Sequence, residues 1–293
     1  MLASKSPSTP SAEGEVMGYG EAFVYGIVEG ITEFLPISST GHLVVASQVM
    51  HPDTDGGREA LNAYLIVIQA GAILAVTLIY RNRIWMILMG IFGSDKQGRD
   101  LGLNLIFAFL PAAMLGPFLD EIIESLLFGL LPISFALFAG AIFMFWAEKR
   151  KKEWDIANPD KIPKSLQEIN YRESLFVGFL QCFAMWPGTS RSMMTIVGGY
   201  LIGLKREQAA EFSFLLGVIT LTAAAGYKTL TKWEVMFEKL ELGSVFFGCL
   251  VAGISAAASV YWLVGYLSKH GLGLFVWYRI ALSIIILVIY FWP

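Results

Sequence analysis

Glu29-Gly-Ile-Thr-Glu33-Phe-Leu-Pro36-Ile-Ser38-Ser39-Thr40-Gly41-His42 and Pro187-Gly188-Thr-Ser190-Arg191-Ser192-Met-Met-Thr195 set charged and hydroxyl side chains inside sequence apolar enough to sit in lipid. An ionisable group at bilayer depth costs at least ~2.5 kcal/mol, so intramembrane Glu, His and Arg are functional-site candidates. Outward from Pro36 and from Pro187-Gly188, the apolar stretches 22–36, 40–50, 174–186 and 193–204 are too short to cross a hydrocarbon core of about 30 Å at ~1.5 Å per residue. They come in pairs, each hinged on Pro, Gly and Ser, residues that break one helix and cap the next. Two re-entrant helical hairpins follow. Irregular backbone at membrane depth is tolerated only where protein or a water-filled cavity covers it, so both hinges are expected to face one interior site.

The rest of the chain agrees with a lipid solvent: 56% of residues are hydrophobic and 15% charged, outside the usual range of a soluble domain. Runs long enough to cross occur at 61–80, 101–119, 126–147, 209–227, 243–267 and 273–293. The expected fold is an all-α polytopic membrane protein with about six full transmembrane helices plus the two hairpins. Residues 1–17, polar and without an apolar h-region, are expected to form a disordered tail rather than a signal peptide; 18–293 form one membrane domain. The net charge of −3 and basic residues gathered in loops give no sign of nucleic-acid binding. Seven Lys and Arg between Lys149 and Arg172 mark loop 148–172 as cytoplasmic by the positive-inside rule. Arg81 and Arg83 fall on the same side and both termini outside, although Lys228, Lys232 and Lys239 then lie outside as well. Cys182 and Cys249 read as small buried hydrophobes, His51 as a solvated loop residue, and Trp85, Trp146, Trp233 and Trp292 as an interfacial belt.

The two halves repeat one another. A shift of 152 residues sets Gly26-Ile-Val-Glu29 on Gly178-Phe-Leu-Gln181 and Ser38-Ser39-Thr40 on Ser190-Arg191-Ser192. Each half, 18–147 and 173–293, is then a hairpin followed by three crossings. Three is odd, so the second half enters from the opposite face as an inverted repeat, an architecture that builds sites near the midplane from broken helices.

Glu29 and Glu33 lie one turn apart on one helix face, and two carboxylates that close in a low dielectric do not both stay ionised without a cation. Oxygen ligands suit Mg²⁺ or Ca²⁺, and Mg²⁺ commonly takes one or two carboxylates plus phosphate oxygens; a protonated Glu, or a pair turned to water, is the plainer alternative. Ser38-Ser39-Thr40 opens the next short helix, whose unpaired N–H groups and positive dipole end attract phosphate. Ser190, Ser192 and Thr195 surround Arg191 at the second helix start, and Arg suits bidentate grip of phosphate oxygens. A diphosphate with a metal is the ligand this set fits, with Ser39 as attacking or binding group and His42 as acid or base.

These two motifs, with Gln69-Ala-Gly-Ala-Ile-Leu-Ala-Val76, Gln181-Cys-Phe-Ala-Met-Trp-Pro187, Glu211-Phe-Ser-Phe-Leu-Leu216 and Tyr278-Arg279, resemble the signatures of the bacterial undecaprenyl-diphosphate phosphatase family, also called bacitracin-resistance proteins, over 18–293. The resemblance implies hydrolysis of the C55 isoprenyl diphosphate to the monophosphate carrier, at a metal-dependent site open to the outer face of the bacterial inner membrane. By motif position it makes Glu29 and Glu33 the acidic, metal-binding pair, Ser39 the nucleophile or phosphate ligand, and His42 the acid/base candidate. Arg191 grips the diphosphate, and Ser38, Thr40, Ser190, Ser192, Thr195 and Gln181 line it. The partners implied are the isoprenyl diphosphate lipid and the surrounding membrane lipids, with a homodimer left open.

Two departures stand out. Met193 follows Ser192 where many members have a small residue, and Gly217-Val-Ile219 replaces a more usual Ala-Val-Pro; Met193 is expected to narrow the pocket beside the phosphates. A flippase for the lipid monophosphate is the rival from another class, needing chiefly Arg191 and the helix starts. The other large class of membrane lipid phosphatases, with Ser-Arg-x5-His-x3-Asp, is excluded because Val197 and Leu201 occupy its His and Asp positions.

Overall fold

The computed structural model describes residues 17–50, 58–160, 162–231 and 241–292. The expected tail, apart from Met17, lies outside the described residues, as do His51, Lys232, Trp233 and Lys239. The helices in chain order are α1 (Tyr19–Thr32), α2 (Ser39–Met50), α3 (Arg58–Ile79), α4 (Arg81–Ile91), α5 (Lys96–Leu127), α6 (Leu130–Ala157), α7 (Tyr171–Cys182), α8 (Arg191–Leu201), α9 (Arg206–Thr231), α10 (Leu242–Leu267) and α11 (Gly273–Phe291). The only β pairing among the described residues is one isolated bridge between Lys164 and Leu204.

Among the described residues five helices are long and apolar enough to cross a membrane, and six if α3 and α4 form one broken span. That pair bends by 79° at Tyr80, so Arg81 and Arg83, expected in a loop, instead open a short helix. Arg83 Nε donates to Glu211 Oε1 at 2.6 Å, tying α4 to α9.

Helix α6 also runs ten residues past position 147, where the cytoplasmic loop was expected to begin. The charged residues that read as loop are spaced to pair along a helix: Lys151 with Asp155 at 2.5 Å and Lys152 with Glu148 at 3.8 Å, both i,i+4. Arg206 at the start of α9 joins Glu148 at 3.1 Å and Asp155 at 3.2 Å. Glu148 Oε2 also accepts the Leu272 amide at 3.1 Å, so one ion network binds the ends of α6, α9 and α11.

Small residues set how the helices approach, as expected where lipid supplies no hydrophobic drive between them. Gly26 and Gly30 of α1 face α10: a Cβ at Gly26 would lie 2.8 Å from Gly248 O, and one at Gly30 would overlap Ala252 O and Ser255 Oγ. On the other flank of α10, a Cβ at Gly71 of α3 would overlap the Cys249 carbonyl. The packing is reciprocal: α1 lies along α10, α7 along α5, and α6 along α11. The joint at 33–38 is buried throughout, and the second joint is buried at 187–190.

Candidate active site at the two hinges

Helix α1 ends at Thr32, and the chain turns through Pro36 before α2 starts at Ser39. The same sequence of events follows α7, whose end tightens into a 3-10 turn at Phe183–Met185 before Pro187 and the start of α8 at Arg191. At each joint one serine takes a left-handed backbone: φ is 74° at Ser38 and 76° at Ser190, and no other non-glycine residue among those described has positive φ. Such a conformation costs about 1–3 kcal/mol and persists where the surroundings over-determine it. Here each serine also caps its helix, Ser38 Oγ accepting Gly41 N at 3.3 Å and Ser190 Oγ accepting Met193 N at 3.2 Å. The first free amides of α2 and α8 are thus aimed by matched turns.

The hinges touch directly. Arg191 Nη2 donates to Glu33 Oε1 at 3.0 Å, with side chains only 10% and 6% exposed. Its Nη1 donates to Ser213 O at 3.1 Å, and the guanidinium lies 5.2 Å over the Phe34 ring. Ser192 Oγ donates to Leu35 O at 2.6 Å, a second bond from one hinge to the other. Glu33 Oε2 is occupied as well, accepting Ser39 Oγ at 2.5 Å. One carboxylate therefore holds a hydroxyl on one oxygen and a guanidinium on the other.

Glu29 is buried one turn below, with Glu33, Arg191 and Gln69 of α3 as its polar neighbours. Its Oε1 has no partner, and neither has Arg191 Nε. A buried carboxyl oxygen and a buried guanidinium N–H, each without a partner, are in one cluster the complement of a cation and an anion. Among the described residues no group of three or more His, Cys, Asp or Glu converges; the carboxyl groups of this cluster are those of Glu29 and Glu33. That donor set fits Mg²⁺ or Ca²⁺ when phosphate oxygens and water complete the shell.

His42 is placed otherwise than the sequence implied. Its Nδ1 bonds Ser38 O at 2.7 Å, and because a carbonyl only accepts, Nδ1 carries the proton. Its Nε2 bonds Tyr278 OH at 2.7 Å, with the two rings stacked 5.6 Å apart. Ser39 meets Glu33 instead, a pairing hidden in sequence because the five intervening residues form a turn, not a helix.

The remaining candidates divide. Ser190 Oγ and Ser192 Oγ lie 3.0 Å apart, and Thr195 Oγ1 bonds Arg191 O at 2.9 Å and Ser213 Oγ at 2.6 Å. Ser192 and Thr195 are fully buried and saturated by protein partners, so in this arrangement they brace the second hinge. Thr40 is half-buried at the start of α2. Gln181 stands apart, its Oε1 accepting Thr220 Oγ1 at 3.3 Å while Nε2 is unpaired. Met193, expected to crowd the phosphates, is fully buried in the core instead; a Cβ at Gly140 would lie 3.0 Å from its Cε. Arg279 and Tyr278 carried no assigned role from sequence; the signal available was an arginine alone in an otherwise apolar span.

Residues 22–285 match the family model of the bacitracin resistance protein BacA. The chain belongs to this family. Curated relatives in the BacA family include undecaprenyl-diphosphatase 3 of Acinetobacter baylyi, 41% identical over 93% of this chain and 99% of its own length. Undecaprenyl-diphosphatase 2 of Rhodospirillum rubrum is 41% identical over 91% of this chain and 93% of its own. Undecaprenyl-diphosphatase 1 of Burkholderia lata is 40% identical over 92% and 94%. Both hinges fall inside the matched BacA segment.

Proposed function

We propose that this chain removes the terminal phosphate of undecaprenyl diphosphate, yielding undecaprenyl phosphate and inorganic phosphate, and so recycles the lipid carrier for cell-wall synthesis and confers bacitracin resistance. The observation that carries it is the Glu33 carboxylate shared between Ser39 Oγ at 2.5 Å and Arg191 Nη2 at 3.0 Å. Phosphoryl transfer asks a protein chiefly for positioning and charge stabilisation, and this pairing supplies a hydroxyl, its base and a cation in one cluster.

Ser39 Oγ attacks the terminal phosphorus while its proton passes to Glu33 Oε2. The bond from that phosphorus to the bridging oxygen breaks, and undecaprenyl phosphate leaves. Water then attacks the phosphorus of the phosphoserine, the bond from phosphorus to Ser39 Oγ breaks, Ser39 Oγ recovers the proton from Glu33, and inorganic phosphate departs with the oxygen and both protons of the water. Arg191 Nε, bare in the resting site, and the amides opening α2 and α8 bind the phosphate oxygens. Glu29 and Glu33 would hold Mg²⁺ or Ca²⁺, which when bound neutralises diphosphate charge. His42, tied to Ser38 O and Tyr278, orients the start of α2 in the resting site.

The protein is read as a multi-pass inner-membrane enzyme whose site opens to the outer face, with the Lys149–Arg172 cations inside. The matched turns at Ser38 and Ser190 support two repeats, 18–147 and 173–293, inserted from opposite faces. The test is phosphate release from undecaprenyl diphosphate by the detergent-purified protein, with Mg²⁺ or Ca²⁺ and then with chelator, alongside Ser39→Ala and Arg191→Ala. Metal-dependent release lost in both variants supports the enzyme. A folded protein that binds the lipid monophosphate and releases nothing is a carrier, and the proposal fails.

A further inference from the structure

Arg279 of α11 is the largest fully buried side chain described, at 0% exposure, and it has no carboxylate partner among the described residues. Its donors go to backbone carbonyls from three places. Nε reaches Leu137 O at 3.3 Å and Nη2 reaches Ala136 O at 3.3 Å, both on α6. Nη1 reaches Pro36 O at 3.4 Å in the first hinge, and Nη2 reaches Gly188 O at 3.0 Å in the second. Pro36 and Gly188 are 152 residues apart, the offset that also relates Ser38 to Ser190, and each precedes its left-handed serine by two residues. One guanidinium thus grips equivalent carbonyls of the two hinges and ties both to α6.

A buried cation without a counter-ion is costly, and an apolar residue of similar volume would pack with less penalty. A lysine offers one point charge, whereas the rigid fork of arginine reaches several acceptors on separate elements at once. The surroundings leave room for that fork: a Cβ at Gly140 of α6 would overlap Arg279 Nη2, and a Cβ at Gly188, where φ is 97°, would lie 2.5 Å from Ile133 O. Two residues beyond the gripped carbonyls begin the turns that aim Ser39 and Arg191.

We propose that Arg279 is a positioning residue, a clasp that fixes both hinge backbones so that Ser39 on α2 and Arg191 on α8 meet at Glu33. It rests on the phosphatase reading above for its kinetic consequence, not for its geometry. The test uses the full-length protein with Arg279→Lys, which keeps the charge and loses the fork, and Gly140→Ala, which keeps Arg279 and displaces its head. Both are measured for kcat and KM of phosphate release, and for hydrogen–deuterium exchange of peptides covering 36–42 and 188–195.

Expected results are a kcat lowered about 100-fold in Arg279→Lys and less in Gly140→Ala, KM within about threefold of the parent, and faster exchange at both hinges together. The double variant should be no slower than Arg279→Lys alone, because the two changes strike one contact. Unchanged exchange at either hinge, parental kcat in Arg279→Lys, or additive losses would overturn the proposal. If Arg279→Lys does not fold, Gly140→Ala decides by the same exchange readout. A parent protein that releases no phosphate while the variant hinges still loosen together defeats the phosphatase reading and leaves the clasp standing.

Discussion

Replacing Glu33 by Gln keeps the shape of the side chain and removes both things its carboxylate does. In the parent, Oε2 accepts Ser39 Oγ at 2.5 Å and Oε1 accepts Arg191 Nη2 at 3.0 Å. An amide has one accepting oxygen. Turned towards the guanidinium, it leaves only its NH₂ facing Ser39, so the serine proton loses its acceptor. Loss of a general base lowers rate about 10²- to 10⁴-fold, equivalent to ~3–5 kcal/mol of barrier at 1.36 kcal/mol per decade. Breaking a buried ion pair costs about 3–5 kcal/mol. The lower end applies to stability here, since Arg191 keeps Ser213 O and the Phe34 face, and Glu29 remains within electrostatic reach. The assay is single-turnover phosphate release with a melting curve on the same preparation, for Glu33→Gln, Ser39→Ala and the double variant. The expected result is a large loss in each and no further loss in the double variant, because groups that act as a unit are non-additive. A Glu33→Gln protein that melts lower yet keeps a tenth or more of the parental rate would refute Glu33 as the acceptor of the Ser39 proton.

Ser192→Ala removes the bond from Ser192 Oγ to Leu35 O, while that carbonyl keeps the Ile37 amide at 2.8 Å; a stability loss of about 0.5–1.5 kcal/mol is expected, read from thermal melting in detergent. Gly217→Ala places a methyl where Arg191 Nη1 now sits and drives the guanidinium off Ser213 O; losing a charged hydrogen bond of about 1.5–3 kcal/mol raises KM about tenfold or more, checked by steady-state kinetics. Tyr278→Phe deletes the hydroxyl on His42 Nε2 while keeping the stacked ring, so kcat should fall less than about tenfold. A larger fall would show the tyrosine acting on substrate itself.

The hinges were legible because helix-breaking Pro and Gly, capping Ser and intramembrane charge coincide at two places 152 residues apart. The contact of Glu33 with Arg191 followed from both hinges facing one interior. Ser39 was read together with His42 as its neighbour in sequence, while the hydrogen bond of its hydroxyl goes to Glu33 across the turn. Helix α4 was hidden because Arg81 and Arg83 read as loop cations, and pairing of Arg83 with Glu211 lies 128 residues away. The inner end of α6 was hidden for the same reason: Glu148 is paired with Arg206 and the Leu272 amide, neighbours that local composition does not reveal. Arg279 was visible as an anomaly, but its partners are main-chain oxygens of distant segments, and a carbonyl has no signature in sequence.

The close contact of Gly30 with Ala252 and Ser255 has a consequence for heredity. Every missense change in a glycine codon adds a side chain, and at this position any side chain meets the α10 backbone one residue from Glu29. Gly26, facing Gly248 one turn earlier, is under the same restriction. In a bacterium that relied on this enzyme to survive bacitracin, drug sensitivity could therefore return through codons that encode no reactive group, and the mutational target for losing resistance is wider than the set of residues that touch phosphate.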